Sequence, residues 1–591
     1  MRTAETVLNI IHDRGTRGLP LEDVYRQLFN PDLYLRAYGR ISRNQGALTK
    51  GITEETADGM SLRKIESLIT AIRAERFQWT PVRRIHIEKN NGSGKKRPLG
   101  IPTWSDKLVQ EVVRSILEAY YEPQFSDHSH GFRPNRGCQT ALTTIRKTWT
   151  GTKWFIEGDL KGCFDHIDHQ VLLSIIREKI HDHRFLRLIE NLLQAGYCEV
   201  WNYRPTLSGT PQGGIASPIL ANIYLDQLDR SVAEQLIPAY TRGERRQLNE
   251  EYNRINALYH YYLRKQDYQR AKEYKERSSS LPSVVPDDPD YRRLRYLRYA
   301  DDFLLGLIGT RQEAEEITER LDRFTREKLK MELSKEKTLL THATTQAARF
   351  LGYEIRTQTS DQRRLINGDI VLLVPAEVVE ARCTRYMRQG KPIHRPELLQ
   401  HSDYENIVLY QAEYKGYVQY YTLAQNLSWL NKLRWIMETS LLKTLANKHR
   451  TSVMKISQSL KSTRLTAHGP RRCLKLTVER EGKKPLVAYF GGITLKYNKE
   501  AVIEDRPLNL YRAPRTQLET RLLADLCEVC GSEKEVEVHH IRKLKDLKVK
   551  GRKEKPLWQQ IMSARQRKTL VLCHRCHVDL HAGRPLNGQR D

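Results

Sequence analysis

The feature that most constrains this chain is a pair of adjacent carboxylates between two apolar segments. Asp301 and Asp302 lie within Tyr296–Gly306, where aromatic and aliphatic residues flank them on both sides. This pattern predicts a β-hairpin with both carboxylates at the bend. Aspartate is common in turns because its side chain bonds the local backbone. Adjacent like charges stabilise nothing by themselves, so the functional alternative is a divalent cation shared with a third carboxylate.

The charge of the chain indicates a polyanionic partner. Its 591 residues carry a formal net charge of +28, with 99 Lys and Arg against 71 Asp and Glu. An excess of this size favours nucleic acid over a merely solvated basic surface. No segment approaches the roughly 18 apolar residues of a membrane helix, and Met1–Glu5 lacks the apolar core of a signal peptide. We therefore expect a cytosolic protein without a membrane partner.

Helical periodicity dominates the first 80 residues. Apolar residues recur at helical spacing in Leu19–Phe29 and Ser61–Ile69, with Ser61 as an N-cap. Strand spacing follows, and Asn90–Gly94 predicts a turn. The basic residues after this turn are candidates for phosphate binding, with a solvated edge strand as the alternative. They are Lys95, Lys96 and Arg97.

A second apolar strand, Trp154–Asp159, ends on a carboxylate. Further along, Asp168 has the position of an N-cap for a helix at 170–179, and we assign Asp165 to a local hydrogen bond. Asp159 is therefore the candidate for the third carboxylate. Three converging carboxylates would hold two Mg²⁺ ions, which lower the pKa of a primer hydroxyl and stabilise the charge on a transferred phosphoryl group.

The segments around the hairpin differ in character. A glycine-rich loop, Gly209–Gly214, leads into a helix whose first turns are small residues, which allows close approach of a nucleotide or of another helix. Segment 239–292 is polar and predicts a helical insert. Residues 404–449 are helical, with a tyrosine stripe that either stacks on bases or belongs to the core. Gly- and Pro-rich sequence over 466–526 predicts a domain boundary or linker.

The C-terminal region carries an independent metal signature. Two Cys-x₂-Cys pairs predict a structural zinc site, and its ligands are Cys527, Cys530, Cys573 and Cys576. Glu537–Ile541 predicts a strand, and His577 and His581 share one helix face at a metal-ligand spacing. Segment 541–570 holds eleven Lys and Arg against two acidic residues, which favours contact with a DNA backbone over a solvated loop.

Six motifs, in this order, resemble those of a reverse transcriptase, and most closely those of the group II intron-encoded proteins. The resemblance covers about residues 20–465 and the C-terminus. The motifs are Arg97–Pro102, His130–Pro134, Gly158–Asp165, Gly209–Gly213, Tyr299–Asp302 and Phe350–Tyr353. Each motif alone is weak, but their common order is specific.

This resemblance implies roles for the residues around the polymerase centre. The metal-binding catalytic triad is Asp159, Asp301 and Asp302. Phe164 would exclude a 2′-hydroxyl and so select dNTPs, and Gln212 would line the nucleotide pocket. The triphosphate would meet one or more of Lys95, Lys96 and Arg97. Phe350–Tyr353 would be the primer grip.

The rest of the chain resembles two further modules. Residues 404–450 resemble the thumb, or maturase domain X, which binds the intron RNA and helps it fold. The C-terminus resembles an HNH endonuclease of the ββα-metal fold, in which His540 would be the general base that activates water. The catalytic divalent ion would be bound by His539, His577 and His581. The middle Asn of that motif has no clear counterpart near Lys568–Leu570.

We therefore expect an α+β protein with a right-hand polymerase, a helical thumb or domain X, and a small zinc-stabilised ββα-metal domain. The polymerase fingers and palm would contain an antiparallel sheet plus helices. The expected domains are an N-terminal helical extension (1–80), fingers and palm (81–375), thumb or domain X (376–465), a DNA-binding or linker region (466–520) and the HNH domain (521–591).

The expected function is that of a group II intron reverse transcriptase and maturase, which assists splicing, nicks target DNA and primes cDNA synthesis. Its partners would be intron RNA, target DNA and dNTPs, its ions Mg²⁺ and Zn²⁺, and its form a ribonucleoprotein in a bacterial or organellar interior. Three alternatives remain: a retron or defence reverse transcriptase, a splicing cofactor with vestigial enzymatic sites, and an HNH nuclease with an RNA-binding scaffold. Domain X and the HNH residues argue against the first, and the intact carboxylates against the second.

Overall fold

A computed structural model describes most of the chain. It covers residues 2–88, 96–199, 202–206, 208–209, 213–285, 288–360, 367–498, 515–543, 547, 556–565 and 567–586. Two of the predicted nucleotide-binding residues, Lys95 and Gln212, lie outside these ranges. No helix among the described residues is long and apolar enough to span a bilayer.

Four helices form the N-terminal region. They are α1 (Ala4–Thr16), α2 (Val24–Gln27), α3 (Pro31–Ile41) and α4 (Leu62–Arg73). Their starts follow ordinary capping chemistry, because the side chains of Thr3, Asn30 and Ser61 each accept a hydrogen bond from a backbone N–H of the first turn. Their apolar faces point inward and join the core of the palm.

The fingers and palm alternate short strands with helices. The first half contains β1 (Val82–Glu88), β2 (Lys96–Ile101), α5 (Trp104–Tyr121), β3 (Ser129–His130), α6 (Cys138–Thr148), β4 (Trp154–Asp159), α7 (Cys163–His166), α8 (His169–Arg177), α9 (His183–Gln194), β5 (Tyr197–Glu199) and β6 (Asn202–Arg204). The second half contains α10 (Ser217–Ser231), α11 (Ile237–Ala239), α12 (Glu250–Arg264), α13 (Tyr268–Ser280), β7 (Arg293–Tyr299), β8 (Asp302–Ile308), α14 (Arg311–Lys328), β9 (Leu339–His342), β10 (Ala348–Phe350), β11 (Tyr353–Thr357) and β12 (Ile370–Leu373).

Two sheets position the polymerase motifs. The palm sheet has the strand order β3-β7-β8-β4-β9, and the fingers sheet has the order β2-β1-β5-β6. The predicted hairpin is formed by β7 and β8, and Asp168 caps α8 as expected. The insert is a pair of helices, α12 and α13, of which only Ile255, Ala271 and Ser278 are buried.

A fully buried ion pair connects strand β7 of the palm hairpin to helix α10. The guanidinium of Arg298, on β7, donates to both carboxylate oxygens of Asp229, on α10, at 2.8 and 2.6 Å. It also donates to Ser129 Oγ at 2.8 Å and to the carbonyl of Ala300 at 2.7 Å, while the Tyr296 hydroxyl donates to Asp229 at 2.8 Å. The desolvation of both charges is thus offset by a complete set of partners.

The thumb region adds helices and a small sheet. It contains α15 (Ala376–Thr384), β13 (Met387–Arg388), β14 (Lys391–Pro392), α16 (Asp403–Tyr420), α17 (Leu430–Lys448), α18 (Val453–Leu460), β15 (Lys461–Thr466), β16 (Gly469–Arg480) and β17 (Lys483–Gly491). Tyr410 and Tyr414, within the tyrosine stripe, are fully buried, so these two belong to the core.

The structure differs from the predicted boundary or linker after residue 466. Strands β15, β16 and β17 form an antiparallel sheet over 461–491 that packs on α16. Leu474, Ala488 and Phe490 form its buried face, and Phe490 lies against Tyr410 and Tyr414. The linker interpretation was wrong over 466–491, because exposed Lys and Arg conceal the few inward-facing apolar residues. The boundary near 466 and the DNA-binding role of 466–520 stay predictions.

The C-terminal region packs on the N-terminal helices. It contains α19 (Gln517–Leu523), β18 (Val536–His540), α20 (Leu557–Ala564), β19 (Thr569–Cys573) and α21 (His574–His581), and β18 pairs with β19. Leu522, Val538 and Val571 belong to the same hydrophobic core as Tyr38 and Met60. The nuclease region therefore shares a continuous core with the N-terminal helices.

We predict that Arg298→Met destabilises the protein by about 3–5 kcal/mol, because Asp229 would remain buried without a counter-charge. Urea unfolding followed by tryptophan fluorescence measures the change. The control is Arg311→Met, since the side chains of Arg311 and Glu315 are 70% and 52% exposed, and its effect should stay below about 1 kcal/mol. Equal unfolding midpoints for Arg298→Met and the wild type would contradict the role assigned to this pair.

Candidate active sites

Strand register brings the palm carboxylates together. Strands β4 and β8 pair antiparallel so that Asp159 stands opposite Asp302. Asp302 in turn pairs with Tyr299 across the β7–β8 hairpin, and Asp301 lies in the turn between these strands. Ala300 adopts a φ of +54°, a left-handed conformation that tightens this turn. The three predicted aspartates therefore meet at one end of the palm sheet.

Negative charge accumulates at this end of the sheet. Desolvation raises the pKa of Asp302 to about 7, together with the hydrogen bond to Asp159 and the charge of Asp301. Desolvation and the charge of Asp159 also raise the pKa of Asp301, against the opposing effects of Lys337 and Arg97. Carboxylates that lie close together raise the pKa of one another, because each disfavours a second negative charge. Such a cluster of oxygen ligands is typical of a site for a hard divalent cation.

Lys337 is a basic residue at this site that the sequence reasoning did not identify. Its Nζ lies 2.7 Å from Oδ2 of Asp159. The backbone carbonyl of Asp159 accepts from the N–H of Ser334, which fixes this turn beside β4. Residues 334–338 form this turn. The three carboxylates are not all within 4.8 Å of one another. The ammonium of Lys337 partly offsets their charge and opposes the rise in the pKa of Asp301 and of Asp302.

The predicted nucleotide-binding motifs lie on neighbouring elements. Phe164 is on α7, just after Asp159, and its ring meets that of Phe132 edge to face at 6.3 Å between centroids. Gly213 adopts a φ of +107°, and a Cβ there would lie 2.5 Å from the carbonyl of Gly100. Glycine is required at this contact, which joins the glycine-rich loop to the basic hairpin carrying Lys96 and Arg97 on β2.

The predicted primer grip is a turn held by the thumb. Leu351 and Gly352, with φ of +48° and +71°, connect β10 and β11. The hydroxyls of Tyr420 and Tyr421 donate to the carbonyls of Leu351 and Gly352 at 2.7 and 3.1 Å. Tyrosines at the end of α16 thus link the thumb to the palm.

The four C-terminal cysteines form one cluster. Their sulfur atoms all lie within 4.8 Å of one another. The Sγ of Cys530 is 3.6 Å from that of Cys573 and 3.7 Å from that of Cys576. Four thiolates around a tetrahedral Zn²⁺ with bonds of about 2.3 Å would be separated by about 3.8 Å. The residues therefore fit a closed structural zinc site.

A second cluster contains the three predicted histidine ligands and one further residue. The Nε2 atoms of His577 and His581 are 3.0 Å apart, and the ring of His539 lies 5.4 and 5.2 Å from theirs. Glu537 binds Nδ1 of His577 at 2.7 Å. Asp58, from the loop before α4, is the fourth member.

The predicted general base lies against the N-terminal helices. His540 is 9% exposed, and its Nε2 is 2.7 Å from the hydroxyl of Tyr38 on α3. Burial lowers the pKa of His540 to about 4, so its imidazole is neutral at physiological pH. The sequence reasoning missed Tyr38 and Asp58, because neither lies in a recognisable motif and each is some 480 to 500 residues from its partners.

Three family models match successive parts of the chain. Residues 87–355 match the model of the reverse transcriptase, or RNA-dependent DNA polymerase. Residues 373–468 match the type II intron maturase. Residues 527–577 match the AI2M/AI1M-like HNH endonuclease. The order polymerase, maturase and nuclease agrees with the order of the motifs.

Curated relatives match nearly the whole chain. The group II intron-encoded protein LtrA of Lactococcus lactis subsp. cremoris is 42% identical over 580 residues, which cover 94% of each chain. An uncharacterised 91 kDa protein in the cob intron of Schizosaccharomyces pombe is 34% identical and covers 98% of this chain and 73% of its own. A putative COX1/OXI3 intron 1 protein of Saccharomyces cerevisiae is 31% identical, covering 93% and 68%. This chain belongs to the group II intron-encoded proteins, as an RNA-directed DNA polymerase and maturase with an HNH endonuclease domain.

Proposed function

We propose that Asp159, Asp301 and Asp302 bind Mg²⁺ and form the catalytic triad of the polymerase. The pairing of Asp159 with Asp302 is the observation that carries this proposal. Oxygen ligands with excess negative charge suit Mg²⁺, which when bound supplies charge stabilisation at the transferred phosphoryl group. The aspartates hold their positions through strand pairing and through the Arg298 contact with the carbonyl of Ala300.

The nucleotide site is proposed to lie between β2, α7 and the glycine-rich loop. Phe164 lies on the short helix α7, just after Asp159, where a ring can exclude a 2′-hydroxyl and so favour dNTPs. Arg97 is close enough to influence the titration of Asp301, which supports its contact with a triphosphate. Lys96 shares the strand, and Lys95 and Gln212 stay proposals from sequence.

The partners are proposed to be intron RNA and target DNA, in a ribonucleoprotein of a bacterial or organellar interior. The thumb supports RNA binding, because Trp429 and Trp435 are 51% and 59% exposed there. Large exposed aromatic rings are suited to stacking on bases, and Lys432, three residues along the chain from each tryptophan, adds an exposed basic side chain. The fully buried tyrosines Tyr410 and Tyr414 are not available for this role.

The nuclease centre is proposed to contain a structural Zn²⁺ on the four cysteines and a catalytic divalent ion on His539, His577 and His581. Glu537 orients His577 through Nδ1, which leaves Nε2 free to bind the ion. His540 is the proposed general base. In the tautomer whose Nε2–H donates to the hydroxyl oxygen of Tyr38, the Nδ1 atom of His540 has the lone pair that accepts a proton from water.

Primer extension on an RNA template with dNTPs and Mg²⁺ tests the polymerase centre. We expect Asp301→Asn to reduce extension by at least about 100-fold, because the site loses an anionic ligand. The control is Asp322→Asn, which removes a surface carboxylate on α14 that pairs with Arg326 and should leave extension intact. Equal extension by Asp301→Asn and the wild type would exclude Asp301 from catalysis.

The pKa of Asp302 predicts a pH dependence of metal binding. A pKa raised to about 7 means that a proton occupies the carboxyl below this pH and must leave before the ion binds. The Mg²⁺ concentration that gives half-maximal primer extension should therefore be roughly tenfold higher near about pH 6 than near about pH 8. The same half-maximal concentration at both pH values would contradict this assignment.

Nicking of duplex target DNA by the assembled ribonucleoprotein tests the nuclease centre. We expect His540→Ala to slow nicking by about 10²–10⁴-fold, the usual contribution of a general base. The matched control is His574→Ala, on the adjacent helix α21. The side chain of His574 is half-exposed, and its Nδ1 bonds Oε1 of Glu537. Unchanged nicking by His540→Ala would remove His540 from its proposed role.

A further inference from the structure

The N-terminal loop before α4 reaches the histidine cluster of the nuclease. The carboxylate of Asp58 lies 3.4 Å from Nδ1 of His539 and 3.4 Å from Nε2 of His577, and 2.9 Å from Nε2 of His581. These four residues form one of the two groups of donors that lie within 4.8 Å of one another among the described residues. The other group is the cysteine cluster.

The distances fit a coordination shell. Ligands around a tetrahedral ion with bonds of about 2.1 Å are separated by about 3.4 Å. Both ring nitrogens of His539 lack a regular hydrogen-bond partner although the residue is only 4% exposed. A buried imidazole whose nitrogens make no regular hydrogen bond is costly unless it binds something, and a bound cation would engage it.

Backbone contacts hold Asp58 in this position. Its Oδ1 accepts from the N–H of His540 at 2.7 Å. The N–H of Gly59 donates to the carbonyl of Val538 at 3.0 Å, and the N–H of Val538 donates to the carbonyl of Met60 at 2.9 Å. The loop thus adds a short antiparallel bridge to the edge of β18. Met60 and Val538 are fully buried at this junction.

We propose that Asp58 is the fourth protein ligand of the nuclease metal ion, and that this ion joins the N-terminal region to the HNH domain. The inference rests on the proposed role of His539, His577 and His581 and adds a ligand from outside the HNH domain. His and carboxylate donors together suit Mn²⁺, Zn²⁺ or another divalent transition ion. A carboxylate in this position occupies one coordination site that water or a scissile phosphate would otherwise fill.

Mn²⁺ binding to the full-length chain tests the proposal without relying on nicking. All proteins carry Asp301→Asn and Asp302→Asn, so that the palm no longer competes for the ion, and keep zinc on the cysteines. Asp58→Asn retains an oxygen that can accept from the N–H of His540 but removes the charge. We expect it to weaken Mn²⁺ binding in isothermal titration by at least about tenfold. Glu54→Ala, in the same loop and with an 87% exposed side chain, should bind Mn²⁺ like the parent.

His577→Ala tests the histidine metal site separately from the added ligand Asp58. Loss of Mn²⁺ binding by both His577→Ala and Asp58→Asn supports the four-residue centre. Loss by His577→Ala with parental affinity for Asp58→Asn would overturn the role of Asp58 and leave the histidine site standing. Parental affinity in both variants would overturn the histidine site as well. Thermal unfolding gives a second readout: saturating Mn²⁺ should raise the unfolding midpoint of the parent more than that of Asp58→Asn, and an equal rise in both proteins would contradict ligation by Asp58.

Discussion

The buried contact between Arg298 and Asp229 supports the hairpin that carries two of the three aspartates proposed to catalyse polymerisation. Three carboxylates at one end of a sheet repel one another, so the backbone that carries them must be held by other interactions. Arg298 supplies one such interaction, because the same guanidinium binds Asp229, Ser129 and the carbonyl of Ala300, which directly precedes Asp301. The three carboxylates therefore repel one another, while the buried ion pair beside them has all of its polar groups hydrogen-bonded.

Strand periodicity and motif order were sufficient to predict the main chemical groups. Asp159 ends an apolar strand and Asp301 and Asp302 follow another, so antiparallel pairing was enough to bring their backbones together. The cysteine pairs were equally predictable, because two Cys-x₂-Cys motifs need only one strand pair to bring all four sulfur atoms into contact. In both cases the residues lie in short motifs that are visible in the sequence. The pairing of antiparallel strands is then enough to bring them together.

Contacts between distant segments could not be predicted in this way. Asp58 and Tyr38 reach the nuclease only because the N-terminal helices and the β18–β19 hairpin share one core. Lys337 lies in a turn whose position depends on the pairing of its neighbours with β4. The sheet over 461–491 was hidden by its basic exposed face. Each of these features depends on packing between elements, for which a single sequence contains no periodic signal.

One chain contains two separate centres, which we propose act in succession on one DNA target. Target-primed cDNA synthesis by the ribonucleoprotein, on intact and on pre-nicked duplex DNA, tests this proposal most directly. The His540→Ala ribonucleoprotein should make cDNA on pre-nicked DNA but not on intact DNA, and the Asp301→Asn ribonucleoprotein should nick intact DNA without making cDNA on either. Failure of His540→Ala on pre-nicked DNA, or cDNA synthesis by Asp301→Asn, would contradict the account.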